Sequence, residues 1–443
     1  QNLVKFGMNM KTKQLTDFFA NEIRDYSIYA CQRAIPSGID GLKPSQRKVL
    51  FGMMKEYPTA EVKVSIASAS IMGISAYHHG ALDGVMVNMA QSFPGSNNAP
   101  LLEGIGQFGS RITPTPAASR YIFTKMSKVG KSLILPVDDN ILTWLDDDGM
   151  KIEPEHYLPI LPLVLINGAE GMGTGFATSI MSYNPVDLKN KIVGVLNGKT
   201  KLKPLVPWYN GFSGDITRNT EGQTVITGKL EVVNSTTIKI TELPIGTFTI
   251  KYREVLNKLE DAGSIKSYDD NSAEDKIEFV VRVPRETSAR SHEDLIKLFK
   301  LVSRNTENIV VWNQFKKIQR FASADDLLTW FIDYRLSRYE DRRLYLLSSI
   351  QTTIDKYENQ ARFIKLYLKK SSVWSKTKTE DILQELRNDK FDTPEELLNI
   401  RINKLTGDAI LDLQDKIDES KTELVRLKTV TNKEMYLEDL AKL

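Results

Sequence analysis

From residue 322 to 372 the chain runs about fifty residues without a proline or glycine, although it holds 17 prolines and 26 glycines in 443 residues. Both residue types interrupt or weaken helices, so their absence here predicts one very long helix. Within it Ile350, Ile354, Tyr357, Ala361, Ile364 and Leu368 recur at alternating spacings of four and three, which is the seam of a coiled coil. After Gly407 the pattern returns in Ile410, Leu413, Ile417, Ser420, Leu424 and Leu427. Two seamed helices flanking a small helical segment, about 378–405, predict an antiparallel arm with a knob at its tip. No apolar run approaches the ~20 residues that a membrane-spanning helix needs.

Upstream the pattern changes. Residues 12–57 read as helical, with helical apolar spacing over 15–31 and a turn dense in glycine and proline over 35–44. A second helix over 45–54 then carries Gln46, Arg47 and Lys48 in its first turns. Helix, turn and basic helix is the layout of a helix-turn-helix. Short helices and glycine-rich loops follow to about residue 130. From about 205 to 285 the period drops to two, and 225–233, 237–240 and 277–283 read as strands of a separate α/β domain.

Net charge is only +3, yet residues 1–130 hold 14 Lys and Arg against 8 Asp and Glu. A basic first third suits a polyanion-binding surface, although an ordinary solvated surface can show the same excess. The lone Cys31 excludes an internal disulfide and any cysteine-based zinc site, and fits a reducing compartment. Four histidines, with His78 and His79 adjacent, leave little for a metal cage. Residues 1–12 show no charged-then-apolar leader, and a start at glutamine suggests a processed or truncated chain. The expectation is an intracellular, multidomain protein.

Three apparent motifs point away from nucleotide or metal chemistry. Gly104-Ile105-Gly106-Gln107-Phe108-Gly109 matches the dinucleotide fingerprint, but Pro114 and Pro116 follow where a helix should open. The run Gly171-Met172-Gly173-Thr174-Gly175 lacks a phosphate-loop lysine. Asp146-Asp147-Asp148 could hold magnesium but reads more simply as an acidic turn before Gly149. More telling is Ala118-Ser119-Arg120-Tyr121-Ile122. A phenol ordinarily ionises only near pH 10, so a nucleophilic tyrosine needs help. A neighbouring guanidinium favours the phenolate and can grip the phosphate under attack. Tyrosine attack on a phosphodiester exchanges one ester for another, so the break can be resealed. One Arg-Tyr pair among 16 tyrosines is weak evidence by itself, since most tyrosines serve packing or surface roles.

Six ordered blocks carry a resemblance. They begin with Arg33-Ala34-Ile35-Pro36 and Asp40-Gly41-Leu42-Lys43-Pro44-Ser45-Gln46-Arg47-Lys48, then Ala76-Tyr77-His78-His79-Gly80 and Gly106-Gln107-Phe108-Gly109-Ser110-Arg111. Ala117 to Thr124, Glu153 to Pro162 and Ile166 to Gly175 follow in order. Together they resemble the breakage-reunion region of type IIA DNA topoisomerases, in wording closer to the eukaryotic enzyme and its T-even-phage relatives than to gyrase. With no ATPase, Toprim or DNA-wrapping module in the sequence, the outline is similar to the medium subunit of T-even-like phage topoisomerases. A fragment of a larger enzyme is the other expectation.

The resemblance implies a multidomain α+β fold. A winged-helix (helix-turn-helix) breakage-reunion domain would span 1–185 and an α/β tower domain 186–320. A coiled-coil arm with a helical C-gate would span 321–443, its tip at about 375–407. It implies Tyr121 as nucleophile, joined to the 5′ phosphate, and Arg120 at the scissile phosphate. Arg33, Lys43, Arg47 and Lys48 would face DNA; His78 and His79 would lie near the cleavage site or form a structural hydrogen-bonded pair; Gln107 and Arg111 would contact DNA or support the residues that do. Met172 would stand where the family usually wedges isoleucine between base pairs. Mg2+ would be held mainly by a partner Toprim module and ATP used by a separate ATPase module, with no metal site in this chain. The implied partners are double-stranded DNA, a second copy of the chain and Toprim- and ATPase-bearing subunits. A non-catalytic DNA-binding scaffold and a single-strand-nicking tyrosine enzyme remain alternatives.

Overall fold

The computed structural model describes residues 15–443; the readings of residues 1–12 as leaderless and of a helix starting at 12 begin outside them. By its contacts the chain divides into two compact units. One comprises residues up to Pro136 together with Leu142–Tyr334, and the other Val137–Ile141 with Arg335–Lys442.

In the first unit, a helical run starts at Leu15, passes a π-helical turn at Phe19–Ile23 and ends as the helix Arg24–Ala34. After the turn comes the helix Pro44–Glu56. Pro44 occupies its first position, where a missing N–H costs nothing, and the Lys43 N–H donates to Gln46 Oε1 (2.9 Å). Helices Val64–Ile74 and Asp83–Ala90 pack with it, and Val49, Leu50, Met53, Val64, Ile71 and Met86 form the buried seam. Beside them lies a three-stranded antiparallel sheet in which Phe123–Met126 sits between Val62–Lys63 and Leu102–Ile105. Asp146, Asp147 and Asp148 close a hairpin: the Gly149 N–H donates to Asp146 Oδ1 (2.9 Å).

The stretch 225–233 is not one strand. Thr224–Thr227 joins a three-stranded sheet with Asp215–Arg218 and Val302–Asn305, whereas Lys229–Asn234 joins a four-stranded sheet. The break falls at Gly228, whose N–H donates to the Leu301 carbonyl (2.8 Å). A Cβ there would collide with the Glu242 carbonyl oxygen, so only glycine lets the chain cross between sheets. The four-stranded sheet, with Thr237–Glu242, Phe279–Arg282 and Ser267–Asp270, covers its own core of Ile238, Ile240, Tyr252, Leu256, Phe279 and Phe299.

The long helix is observed over Ala324–Trp374, 51 residues. In the second unit it packs antiparallel with Gly407–Thr429. Ile354 meets Ile417 and Leu424, while Ile364 lies in the cluster that Ile410 and Leu413 pack against. The seam stops short of the expectation, because Leu368 is 45% exposed. Short helices at the tip, Thr379–Asn388 and Pro394–Leu398, bury Leu386 and Leu397 around Phe363 and Trp374. At the other end Arg342 donates to both Asp138 (2.6 Å) and Asp439 (2.5 Å), and Tyr339 stacks on Tyr436 of the last helix, Asn432–Ala441.

Candidate functional site

The loop between strands Leu102–Ile105 and Phe123–Met126 carries the Arg-Tyr pair, and both of its ends are pinned in one sheet. The glycine-rich run at 104–109 leaves the first strand directly into this loop, with no helix opening behind it. Inside the loop the Ala117 N–H donates to the Gln107 carbonyl (2.9 Å) and Gln107 is half-buried. Val64 N–H donates to the Ile122 carbonyl (3.1 Å) and the Ser119 hydroxyl reaches Asp83 Oδ2 (3.3 Å). Ile122 is 1% exposed and Tyr121 67%, so the chain entering the core throws the phenol outward. The Arg120 guanidinium lies 4.9 Å from the Tyr121 ring centroid and is itself exposed. A fixed backbone thus presents a phenol and a cation together to solvent.

Met172 ends the first strand of the hairpin Ala169–Met172 and Ala177–Ile180, and is 88% exposed. The hairpin lies so close to the helix Arg24–Ala34 that a Cβ on Gly171 would collide with the Ala34 carbonyl oxygen. Lys43 Nζ donates to the Glu170 carbonyl (2.7 Å) and Cys31 Sγ to the Thr174 carbonyl (3.4 Å). On its other side Ser179 and Asn308 exchange backbone hydrogen bonds of 2.9 Å. Burial pushes the Lys43 ammonium below its ordinary value, and the Glu170 carboxylate only partly offsets this. An exposed apolar side chain on a braced support is the geometry a wedge requires.

The remaining basic and histidine residues fall into two groups. Arg33, His78 and His79 are exposed. The Arg33 guanidinium lies 5.7 Å from the Tyr29 ring centroid, and the Tyr29 hydroxyl is 2.6 Å from His79 Nε2. Tyr29 belongs to none of the sequence blocks and is legible in the sequence only as a helical residue.

Arg47 and Lys48, expected at DNA, are instead turned inward onto carboxylates, and Arg111, expected either at DNA or behind the residues that contact it, is turned inward as well. Arg47 makes a two-point contact with Asp40 (2.7 and 3.0 Å). Asp40 also accepts from the Leu42 and Tyr157 N–H groups, both at 3.0 Å. Burial alone would lower the Arg47 value, but the Asp40 carboxylate and its hydrogen bond, with Glu153 beyond, raise it. Lys48 pairs with buried Glu153 (2.9 Å) and donates to the Ser75 carbonyl. Arg111 donates to Glu242 Oε1 (2.5 Å) and to the Leu243 carbonyl (2.7 Å); burial lowers its value against the pull of Glu242. Asp40 lies in the same sequence block as Arg47, seven residues away, and could have suggested that pairing; Glu153, 105 residues from Lys48, could not. Glu242 carries no such signal.

With this geometry in place, the comparisons with known proteins bear on it directly. The DNA gyrase/topoisomerase IV A-subunit family matches residues 33–442. The mitochondrial DNA topoisomerase 2 of Dictyostelium discoideum is 35% identical over 99% of this chain and 36% of its own length. DNA topoisomerase 2 of Plasmodium falciparum is 36% identical over 98% of this chain and 34% of its own. The chain therefore spans about a third of the length of these relatives. A crystal structure of the Plasmodium falciparum topoisomerase II DNA-binding, cleavage and re-ligation domain superposes with a TM-score of 0.90. That match has 35% identity and covers 96% of this chain and 63% of the other. The chain belongs to the DNA gyrase/topoisomerase IV A-subunit family and is a type II topoisomerase DNA breakage-reunion domain, homologous to eukaryotic topoisomerase II.

Proposed function

We propose that this chain is the breakage-reunion part of an ATP-dependent type IIA DNA topoisomerase that relaxes and decatenates DNA. The observation that carries this reading is the exposed Tyr121, held by a pinned loop with the Arg120 guanidinium 4.9 Å from its ring. Arg120 neutralises charge on the scissile phosphate while the Tyr121 oxygen attacks phosphorus. One bond forms, from the Tyr121 oxygen to the 5′ phosphate, and one breaks, from phosphorus to the 3′ oxygen. The phenol gives up its proton and the departing 3′ oxygen takes one up. Resealing runs the same exchange backwards, so no backbone bond energy is lost.

Exposed Arg33, His78 and His79 contact the DNA backbone, with Gln107 beside the cleavage loop. Met172 unstacks a base step and bends the duplex. Arg47, Lys48 and Arg111 act one layer below, fixing the turn, helix and loop that present these groups. In domain terms we assign 1–185 as a winged-helix breakage-reunion domain, 186–320 as a tower and 321–443 as a coiled-coil arm with a C-gate. Two copies are needed to cut both strands, each supplying one Tyr121, and the arm closes that dimer.

Type II topoisomerases use Mg2+ and ATP. Among the described residues no three His, Cys, Asp or Glu gather into a cluster. We infer that Mg2+ is held mainly by a partner Toprim module and ATP by a separate ATPase module. The wording of the sequence blocks supports a protein like the medium subunit of T-even-like phage enzymes, acting on DNA inside the cell. No helix among the described residues is long and apolar enough to cross a membrane.

The test is a detergent-trapped cleavage assay on supercoiled plasmid, with this chain alone, with its co-expressed partner subunits, and as Tyr121→Phe. The expected result is linear DNA with protein on its 5′ ends, only with partners and only with Tyr121 present. Partner-independent nicking, or cleavage surviving Tyr121→Phe, overturns the mechanism. DNA binding without cleavage under every condition returns the chain to a scaffold.

A further inference from the structure

We infer that Tyr29 is a positioning residue for His79: its hydroxyl holds the neutral imidazole in the tautomer that offers an N–H donor to a DNA phosphate. This rests on the reading above that His79 faces the DNA backbone.

The Tyr29 hydroxyl lies 2.6 Å from His79 Nε2. A phenol can donate or accept, and a neutral imidazole carries one N–H and one lone pair. If Tyr29 donates to Nε2, the ring proton sits on Nδ1 and the ring presents a donor. If Nε2–H donates to Tyr29, Nδ1 presents a lone pair, which a phosphate oxygen repels. Only the first arrangement lets an uncharged His79 bind phosphate.

One feature of the surroundings favours that arrangement, and a second leaves it open to a ligand. Tyr29 and Arg33 are four residues apart on one helix, so they share a face. The Arg33 guanidinium lies 5.7 Å from the Tyr29 ring centroid. A cation there favours the arrangement that builds negative charge on the phenol oxygen, which is the one in which Tyr29 donates. His79 Nδ1 has no hydrogen-bond partner among the described residues, so it is available to a ligand. Phosphate recognition in this arrangement then needs only the one ring N–H of the neutral imidazole.

The charged and titratable groups around the ring are few. From the helix come Tyr29 and Arg33, with Asp25 one turn earlier and paired to Arg24 (3.0 Å). From its own loop come His78 and Tyr77, the latter with its ring centroid 5.7 Å from that of His79. None of them is a carboxylate in contact with the imidazole.

The experiment compares wild type, Tyr29→Phe, His79→Gln and the double variant, each as the full chain, for affinity toward a short DNA duplex. Tyr29→Phe should weaken binding about five- to tenfold, the loss expected for one phosphate hydrogen bond. In the His79→Gln background it should add nothing. The same loss without His79 overturns the proposal. Nitrogen NMR of the free chain separates this from the DNA reading. Wild-type His79 should show the Nδ1–H tautomer and Tyr29→Phe a mixture. A mixture in wild type overturns the positioning role. The Nδ1–H tautomer together with an inert His79→Gln overturns the DNA contact alone.

Discussion

Asp40 shows how a single side chain sets the surface around it. It is fully buried and accepts from Arg47, Leu42 and Tyr157 at once. Asp40→Ala leaves the buried Arg47 cation without its carboxylate, with only the Leu42 carbonyl (3.1 Å) as acceptor, and should cost about 3–5 kcal/mol, read as a lowered urea midpoint. Arg33→Ala removes only an exposed cation. It should change stability by less than about 0.5 kcal/mol, yet weaken DNA binding and reduce its salt slope by about one. The sequence blocks locate Tyr121, Arg120 and Met172 because each stands in a short local motif. They do not separate exposed Arg33 from buried Arg111, because the Arg111 partner, Glu242, is 131 residues away. Tyr29 is hidden for the same reason: its partner His79 is 50 residues distant.

Among the elements, the long helix is the most legible, since fifty residues free of helix breakers admit little else. Its seam reads too far in the sequence, because a spacing pattern continues whether or not a partner is present. Ile354→Ala should therefore cost about 2–4 kcal/mol through the cavity left against Ile417 and Leu424. Leu368→Ala, at the exposed end, should shift the same unfolding midpoint by less than about 0.5 kcal/mol. The stretch 225–233 misleads differently. Period-two alternation runs straight through Gly228, and only the approach of the Glu242 carbonyl reveals that the chain changes sheets there. The hairpin bearing Met172 offers a matching test. Gly171→Ala forces the hairpin off the helix Arg24–Ala34, so DNA bending, followed by fluorescence transfer between duplex ends, should fall even with Met172 present.

At the scale of the whole molecule, the second unit is closed by charge. Burial pushes the Asp439 carboxyl up, but the Arg342 hydrogen bond and charge, with the Tyr339 hydroxyl, pull it further down, to a value below the aspartate norm. A carboxylate lowered on folding contributes stability above its unfolded value and loses it as pH falls through the folded one. Below about pH 4 the helix Asn432–Ala441 should lose hydrogen-exchange protection, and Asp439→Asn should blunt that acid step while lowering stability at neutral pH. The first unit is closed by distance along the chain. Gly38 N–H donates to the Trp312 carbonyl (2.9 Å), Trp312 N–H donates to the Pro36 carbonyl (3.0 Å), and Trp312 Nε1 reaches the Cys31 carbonyl, 281 residues back. A ribosome adding about 5–20 residues per second needs roughly 15–55 seconds to cover that interval. During that time the turn beside Arg33 has no strand to close on, so this corner of the molecule stays open until the middle of the chain has been made.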